Sequence, residues 1–190
     1  AVYSNVGRHL VIKSCHVYSN NALHQGGVFY FSGLKSIYVQ NVVLKWNQAG
    51  YGASLTIKLS ISVILFNLFF LKMTGIEQEG HLFIEGKRGI STKVLISYSN
   101  FVSTALGSEE VSQSSIDISV AHVENLELKN IDLEANTNEG NSMMTIAKVN
   151  ANNMLLYKAN FRSTTSIVNF LDAKIVKSAR LFFLSFECPV

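Results

Sequence analysis

Apolar and polar residues alternate with period two in short runs along nearly the whole chain. In the middle of each run the phase of the alternation breaks. The pattern apolar, any, apolar, any, turn-like, apolar, any, apolar recurs seven times. The copies are LVIKSCHV (10–17), IYVQNVVL (37–44), VILFNLFF (63–70), VLISYSNF (94–101), LELKNIDL (126–133), MLLYKANF (154–161) and ARLFFLSF (179–186). Successive copies start 25–32 residues apart. Period two belongs to strands, so each unit predicts two short strands meeting at a corner. A polar or glycine-bearing loop follows, then a third alternating strand: VFYF (28–31), SLTI (54–57), HLFI (81–84), SIDI (115–118), MMTI (143–146) and IVNF (167–170).

The corner position holds Ser14, Asn41, Asn67, Tyr98, Asn130, Lys158 and Phe183. Asparagine tolerates left-handed backbone where β-branched residues do not, so Asn41, Asn67 and Asn130 predict a ladder of turn asparagines. Strands of constant length joined by loops of variable length are what a solenoid needs, because its coils stack while loops project. No 3.6-residue apolar period appears, which argues against leucine-rich repeats, and no six-residue period marks a left-handed hexapeptide helix. The predicted fold is all-β: a parallel β-helix of about seven coils with three short strands each.

Four interior stacks follow from this register. They run Leu10–Ile37–Val63–Val94–Leu126–Met154–Ala179, then Ile12–Val39–Leu65–Ile96–Leu128–Leu156–Leu181, then Cys15–Val42–Leu68–Ser99–Ile131–Ala159–Leu184, and Val17–Leu44–Phe70–Phe101–Leu133–Phe161–Phe186. Nearly every member is apolar. Cys15 therefore reads as a small core residue. Cys188 lies six coils away, roughly 29 Å at one strand spacing per coil. A disulfide needs Cα atoms within about 7 Å, so the two cannot pair.

Coil length, three-strand layout and turn asparagines resemble the right-handed β-helices of the pectin-lyase-like type. The unit NNALHQGGVFYF, followed by a strand pair with a corner Asn, is similar to the repeats of polymorphic outer-membrane proteins and of large protist surface proteins. The resemblance implies right-handed winding and an extracellular or cell-surface setting. Open solenoid ends would pair edge to edge, so residues 1–190 are expected to be a single segment of a longer solenoid, continuing into further coils at both ends. Pectin-lyase-like enzymes place carboxylates with Arg or Lys side by side on outward strand positions, and this chain is judged against that arrangement.

Composition narrows the classes. One proline in 190 residues fits strands that hydrogen-bond on both sides, and 15% charged residues with 48% hydrophobic ones exclude disorder. A net charge of +3 without a basic block, Lys87-Arg88 being the one adjacent pair, gives no nucleic-acid footprint. Leu59 to Leu71 imitates a membrane span, yet thirteen residues reach roughly 20 Å as a helix against a core of about 30 Å. With Ser60, Ser62 and Asn67 inside it, the segment reads as strand. No Asn-x-Ser/Thr sequon occurs, which weighs against an extracellular setting without excluding it.

Candidate chemistry is sparse. Asp117, Asp132 and Asp172 fall on different strands, while Glu127, Asp132 and Glu134 point outward on coil 5, with Glu134 expected beside Arg162. That group reads as a solvated ion-pair ladder. His9, His16, His24, His81 and His122 are scattered singly, in or beside turns apart from His16, so neither a metal nor another cofactor is expected. Gly26-Gly27 is followed by no helix, so it is no phosphate loop. Trp46 and Tyr51 share a coil-2 loop, where they could stack on sugars but are expected to cap the loop.

The outward positions of coil 3 are more informative, because Ile64, Phe66, Phe69 and Leu71 are all apolar. Tyr38 and Val43 on coil 2, and Leu95 and Val102 on coil 4, widen the patch. Such a patch usually marks a contact. The expected function is a non-catalytic structural or adhesive segment that meets other protein chains or further coils, in a filament or at a surface. The alternative is a domain that binds or cleaves polysaccharide, with carbohydrate as partner.

Overall fold

The computed structural model describes residues 2–25, 27–51, 54–71, 74–75, 81–105, 116–137, 144–163 and 168–187. Regular structure among them is strand throughout: β1 (Val2–Tyr18), β2 (Asn21–Gln25), β3 (Phe29–Lys45), β4 (Gln48–Tyr51), β5 (Leu55–Lys58), β6 (Ser62–Leu71), β7 (Thr74–Gly75), β8 (Leu82–Glu85), β9 (Lys93–Ala105), β10 (Ile116–Thr137), β11 (Met144–Ser163) and β12 (Val168–Glu187). Every pairing between them is parallel. Parallel neighbours need a long return connection, and here a coil of further strands supplies it. The chain is a β-solenoid, and the segment that imitates a membrane span lies in it as β6.

The interior follows the repeat. Leu10 pairs with Ile37, Ile37 with Val63, Val63 with Val94, Val94 with Leu126, Leu126 with Met154 and Met154 with Ala179. The rows through Ile12 and Val17 keep register in the same way. Between the ends these residues are buried; Phe70 and Phe101 are fully so and stack at 4.7 Å with ring planes 11° apart. Each such side chain contributes about 1.5–3 kcal/mol on burial. At the ends Leu10, Ile12, Cys15 and Val17 are only partly covered, while Leu181 and Phe186 are 50% and 55% exposed. The first and last rungs each have one neighbour, so about five turns are closed, fewer than the seven coils expected.

All seven corner residues have φ between 51° and 55°: Ser14, Asn41, Asn67, Tyr98, Asn130, Lys158 and Phe183. Position in the repeat, not residue type, sets that backbone. Two more corners are left-handed in some coils, at Ser19 and Trp46 and at Gly33, Leu59 and His122. Gly86 stands at the third corner of coil 4, where a Cβ would meet the His122 carbonyl oxygen at 2.1 Å.

Three expectations change. First, β2, β4 and β7 form a small parallel sheet of their own, so the first three coils have a fourth short side where loops were expected. Asn47 steadies its entrance: it is buried, and its Oδ1 accepts from Asn20 N and Nδ2, both at 3.0 Å. Second, the runs at 115–118, 143–146 and 167–170 open β10, β11 and β12 as expected, but the strand continues past them, and the row paired with Leu82 passes through Ile118, Ala147 and Leu171. Phe29, Leu55, Ile118 and Leu171 each stand eight residues before the next strand pair, and Ala147 stands seven. Leu82 stands twelve residues before Val94, across the turn between β8 and β9. Third, His81, at the bend before β8 where a turn was expected, is buried against the rings of Phe70 (5.8 Å) and Phe101 (6.3 Å).

Candidate functional site

Side chains that alternate with the core rows form the outer flank. Ile64, Phe66, Phe69 and Leu71 all lie on it, each half-buried. On the first strand of the pair, Tyr38, Ile64 and Leu95 are in register. On the second, Val43 pairs with Phe69, and Lys45, Leu71 and Val102 follow one another. All eight predicted patch residues therefore sit together on three adjacent rungs. Neighbours cover part of each ring: Phe66 packs on Tyr98 at 5.2 Å, and the Lys45 ammonium lies 5.4 Å from the centre of Phe69.

The lysine contact recurs. Lys13 sits over Tyr38 at 5.5 Å and Lys58 over Phe83 at 5.2 Å, each reaching one rung up the solenoid. Such pairs are worth roughly 0.5–1 kcal/mol at exposed sites. They keep the alkyl stem on apolar surface and the charge in water. Sequence reading missed these contacts, although a lysine one rung before an aromatic was the available signal.

Polar ladders occupy the far half. Asn160 Nδ2 donates to Asp132 Oδ1 at 2.6 Å, and Ser185 Oγ donates to Asn160 Oδ1 at 2.6 Å. Glu134 and Arg162 are register partners as expected, and Arg162 Nε lies 3.4 Å from Glu187. Glu127 pairs within its own strand, with Lys129 at 2.5 Å. A further ladder joins Glu124, Asn152 and Lys177: Asn152 Nδ2 and Lys177 Nζ both donate to the Glu124 carboxylate, the lysine at 3.0 Å. The Lys177 hydrogen bond, with that of Asn152 behind it, holds the Glu124 carboxyl below the usual range. This ladder was missed too, yet each member stands two residues before a strand pair.

Glu124, Glu127, Asp132 and Glu187 thus meet amides or cations rather than one another. Among the described residues no three His, Cys, Asp or Glu side chains group as metal ligands. Asp172 is exposed on β12, and the side chain of Asp117 lies outside the described set, as do Gly26 and Cys188. Cys15 is a free thiol, half-buried on the first rung. Trp46 departs from the expected loop cap: it is 54% exposed at φ 52°, with Tyr18 6.3 Å away. Tyr51 falls in β4.

The asparagine ladder is closed at one step. Asn67 Nδ2 donates to Asn41 Oδ1 at 2.8 Å, whereas Tyr98 stands between Asn67 and Asn130. No helix among the described residues is long and apolar enough to cross a membrane. No family model, curated protein or solved structure matches the chain.

Proposed function

We infer that this chain is a non-catalytic structural or adhesive segment of an extracellular or cell-surface β-helix protein, of the kind that the pectin-lyase-like resemblance suggests. Its outer flank on coils 2–4 is the surface that meets another protein. The observation carrying this reading is the outward Ile64–Phe66–Phe69–Leu71 row, bordered by Tyr38, Val43, Leu95 and Val102. Outward strand positions of a solenoid are normally polar, and an apolar patch spanning three rungs points to a contact. The acids support the same reading, because Glu124, Glu127, Asp132 and Glu187 are each held by a cation or an amide.

A second reading, polysaccharide binding, is favoured by one feature. Trp46 keeps a left-handed backbone, costly for a bulky residue, while its ring stays exposed beside Tyr18. Indole and phenol faces stack on sugar rings.

Calorimetric titration with neutral and acidic polysaccharides, paired with a reducing-end assay, separates the two. The structural reading expects no saturable heat and no new ends, and it expects 1-anilinonaphthalene-8-sulfonate fluorescence that falls in Phe66→Ser/Phe69→Ser. Saturable binding lost in Trp46→Ala would replace it with the second reading.

A further inference from the structure

Charge is divided unevenly along the rod. Residues 1–105 hold nine Lys and Arg against three Asp and Glu, while residues 106–190 hold seven against ten. One outward row crosses this divide in register: Tyr18, Lys45, Leu71, Val102, Glu134, Arg162 and Glu187, one residue per rung on coils 1 to 7, of which the first six are centred on Leu71 and Val102. Read from its centre outward, the row is apolar at Leu71 and Val102. It is then basic on one side at Lys45 and acidic on the other at Glu134; beyond these stand the Tyr18 ring on one side and, on the other, the Arg162 guanidinium, which lies 3.4 Å from Glu187 of the last rung.

We propose that a second copy of this chain docks on this face, antiparallel, about a two-fold axis that runs along the strands between coils 3 and 4. That operation places Leu71 against the partner's Val102, Lys45 against the partner's Glu134 and Tyr18 against the partner's Arg162, each contact occurring twice. An isologous contact needs a self-complementary patch, and this row is one. Turning the second rod parallel instead would set Lys45 beside the partner's Lys45 and Glu134 beside the partner's Glu134. The antiparallel arrangement also lays the basic half of each rod over the acidic half of the other.

The proposal rests on the reading of the flank as a protein contact and names the partner for it. Its strength is bounded by size. Six rungs at about 4.8 Å and four residues of strand give a footprint of roughly 400 Å² per copy, half of the roughly 800 Å² of a standard interface. The dimer is accordingly weak and reversible, and it weakens as salt rises.

Sedimentation equilibrium of the 190-residue chain over a wide concentration range tests it, with far-UV circular dichroism checking that each variant keeps its strands. Lys45→Glu and Glu134→Lys should each raise the dissociation constant about tenfold, and the double exchange should return it to within about threefold of the parent. Two results in the variants overturn the proposal. One is a double exchange no tighter than either single variant. The other is association that ignores these exchanges but vanishes in Phe186→Lys, which assigns the contact to the open last rung. A chain that stays monomeric at every concentration also overturns it. The flank would then serve a different protein, and the dye and polysaccharide experiments decide that reading separately.

Discussion

Asn67 Nδ2 donates to Asn41 Oδ1 at 2.8 Å, across 26 residues of sequence and a single rung of structure. Both residues turn the chain through left-handed backbone, at φ 52° and 55°. The side chain therefore does two things at once: it tolerates the turn and ties adjacent coils at the point where the strand ladder bends. Asn67→Val removes both and places a β-branched residue in that backbone. It should lower stability by about 1–3 kcal/mol, and Asn67→Gly, which keeps the conformation, by clearly less. Urea unfolding of the two variants checks the order, and equal losses would mean that the hydrogen bond alone matters.

The same corner contains residues poorly suited to it. Lys158 adopts φ 53° while exposed, its ammonium resting on its neighbour Tyr157 at 5.5 Å. Lys158→Asn relieves the backbone and places an amide next to Asn130. A gain of about 0.5–1 kcal/mol is expected, seen as a rise in the denaturation midpoint.

Gly86 meets a harder limit. Its Cα faces the main chain of the next coil, whose His122 carbonyl oxygen would lie 2.1 Å from an added Cβ, and backbone cannot swing aside as a flexible side chain can. Gly86→Ala should cost about 1–3 kcal/mol or more. Gly89 nearby has φ 80°, and a Cβ added there would meet nothing within 4 Å, so the loss in Gly89→Ala should come from backbone strain alone. Thermal melts of the pair separate clash from strain.

The interior gives a contrast in one residue type. Phe101 is fully buried in its stack with Phe70, whereas Phe186 stacks on Phe161 at 5.1 Å yet keeps 55% of its surface in water. Phe101→Ala should cost about 3–5 kcal/mol and Phe186→Ala a fraction of that. Similar losses would mean that the last rung is covered in solution.

Glu124 adds a pH dependence. Lys177 and Asn152 hold its carboxyl below the ordinary value, so the folded chain binds this proton more weakly than the unfolded one. The stabilisation is complete above the ordinary carboxylate range and is lost as pH falls through the lower folded value. Across that acid window the parent should lose stability faster than Glu124→Gln. Parallel slopes would show that the ladder is not coupled to folding.

Much of this architecture was legible because two rules act everywhere. Period two separates core from flank, and parallel stacking places like on like, so fixing Leu10 and Ile12 also placed Phe70 over Leu44 and Phe161 over Leu133. The left-handed corners at Tyr98, Lys158 and Phe183 could be read only from the repeat, because none of these residues favours that backbone. Three features were hidden for physical reasons. The β2–β4–β7 side is short and polar, and it is anchored by the buried amide of Asn47, which pattern cannot distinguish from a loop. The third strand of the later coils continues past its apolar run, which alone does not say where the row paired with Leu82 falls. Trp46 is exposed against its type. Of the candidate site, the eight apolar residues were legible as a set, but the lysines over their rings depend on side chains reaching between rungs.

Main-chain hydrogen bonds between rungs run along the rod, so tension applied end to end pulls directly on them, rung from rung. At the junction of coils 3 and 4 the Leu68 amide is caught by the Ser99 hydroxyl at 3.2 Å, and that hydroxyl donates onward to the Ser97 carbonyl. Here a rotatable side chain takes the place of a main-chain acceptor, inside a row that is otherwise aliphatic. The seam lies beneath the apolar flank, where a bound partner would act as a splint.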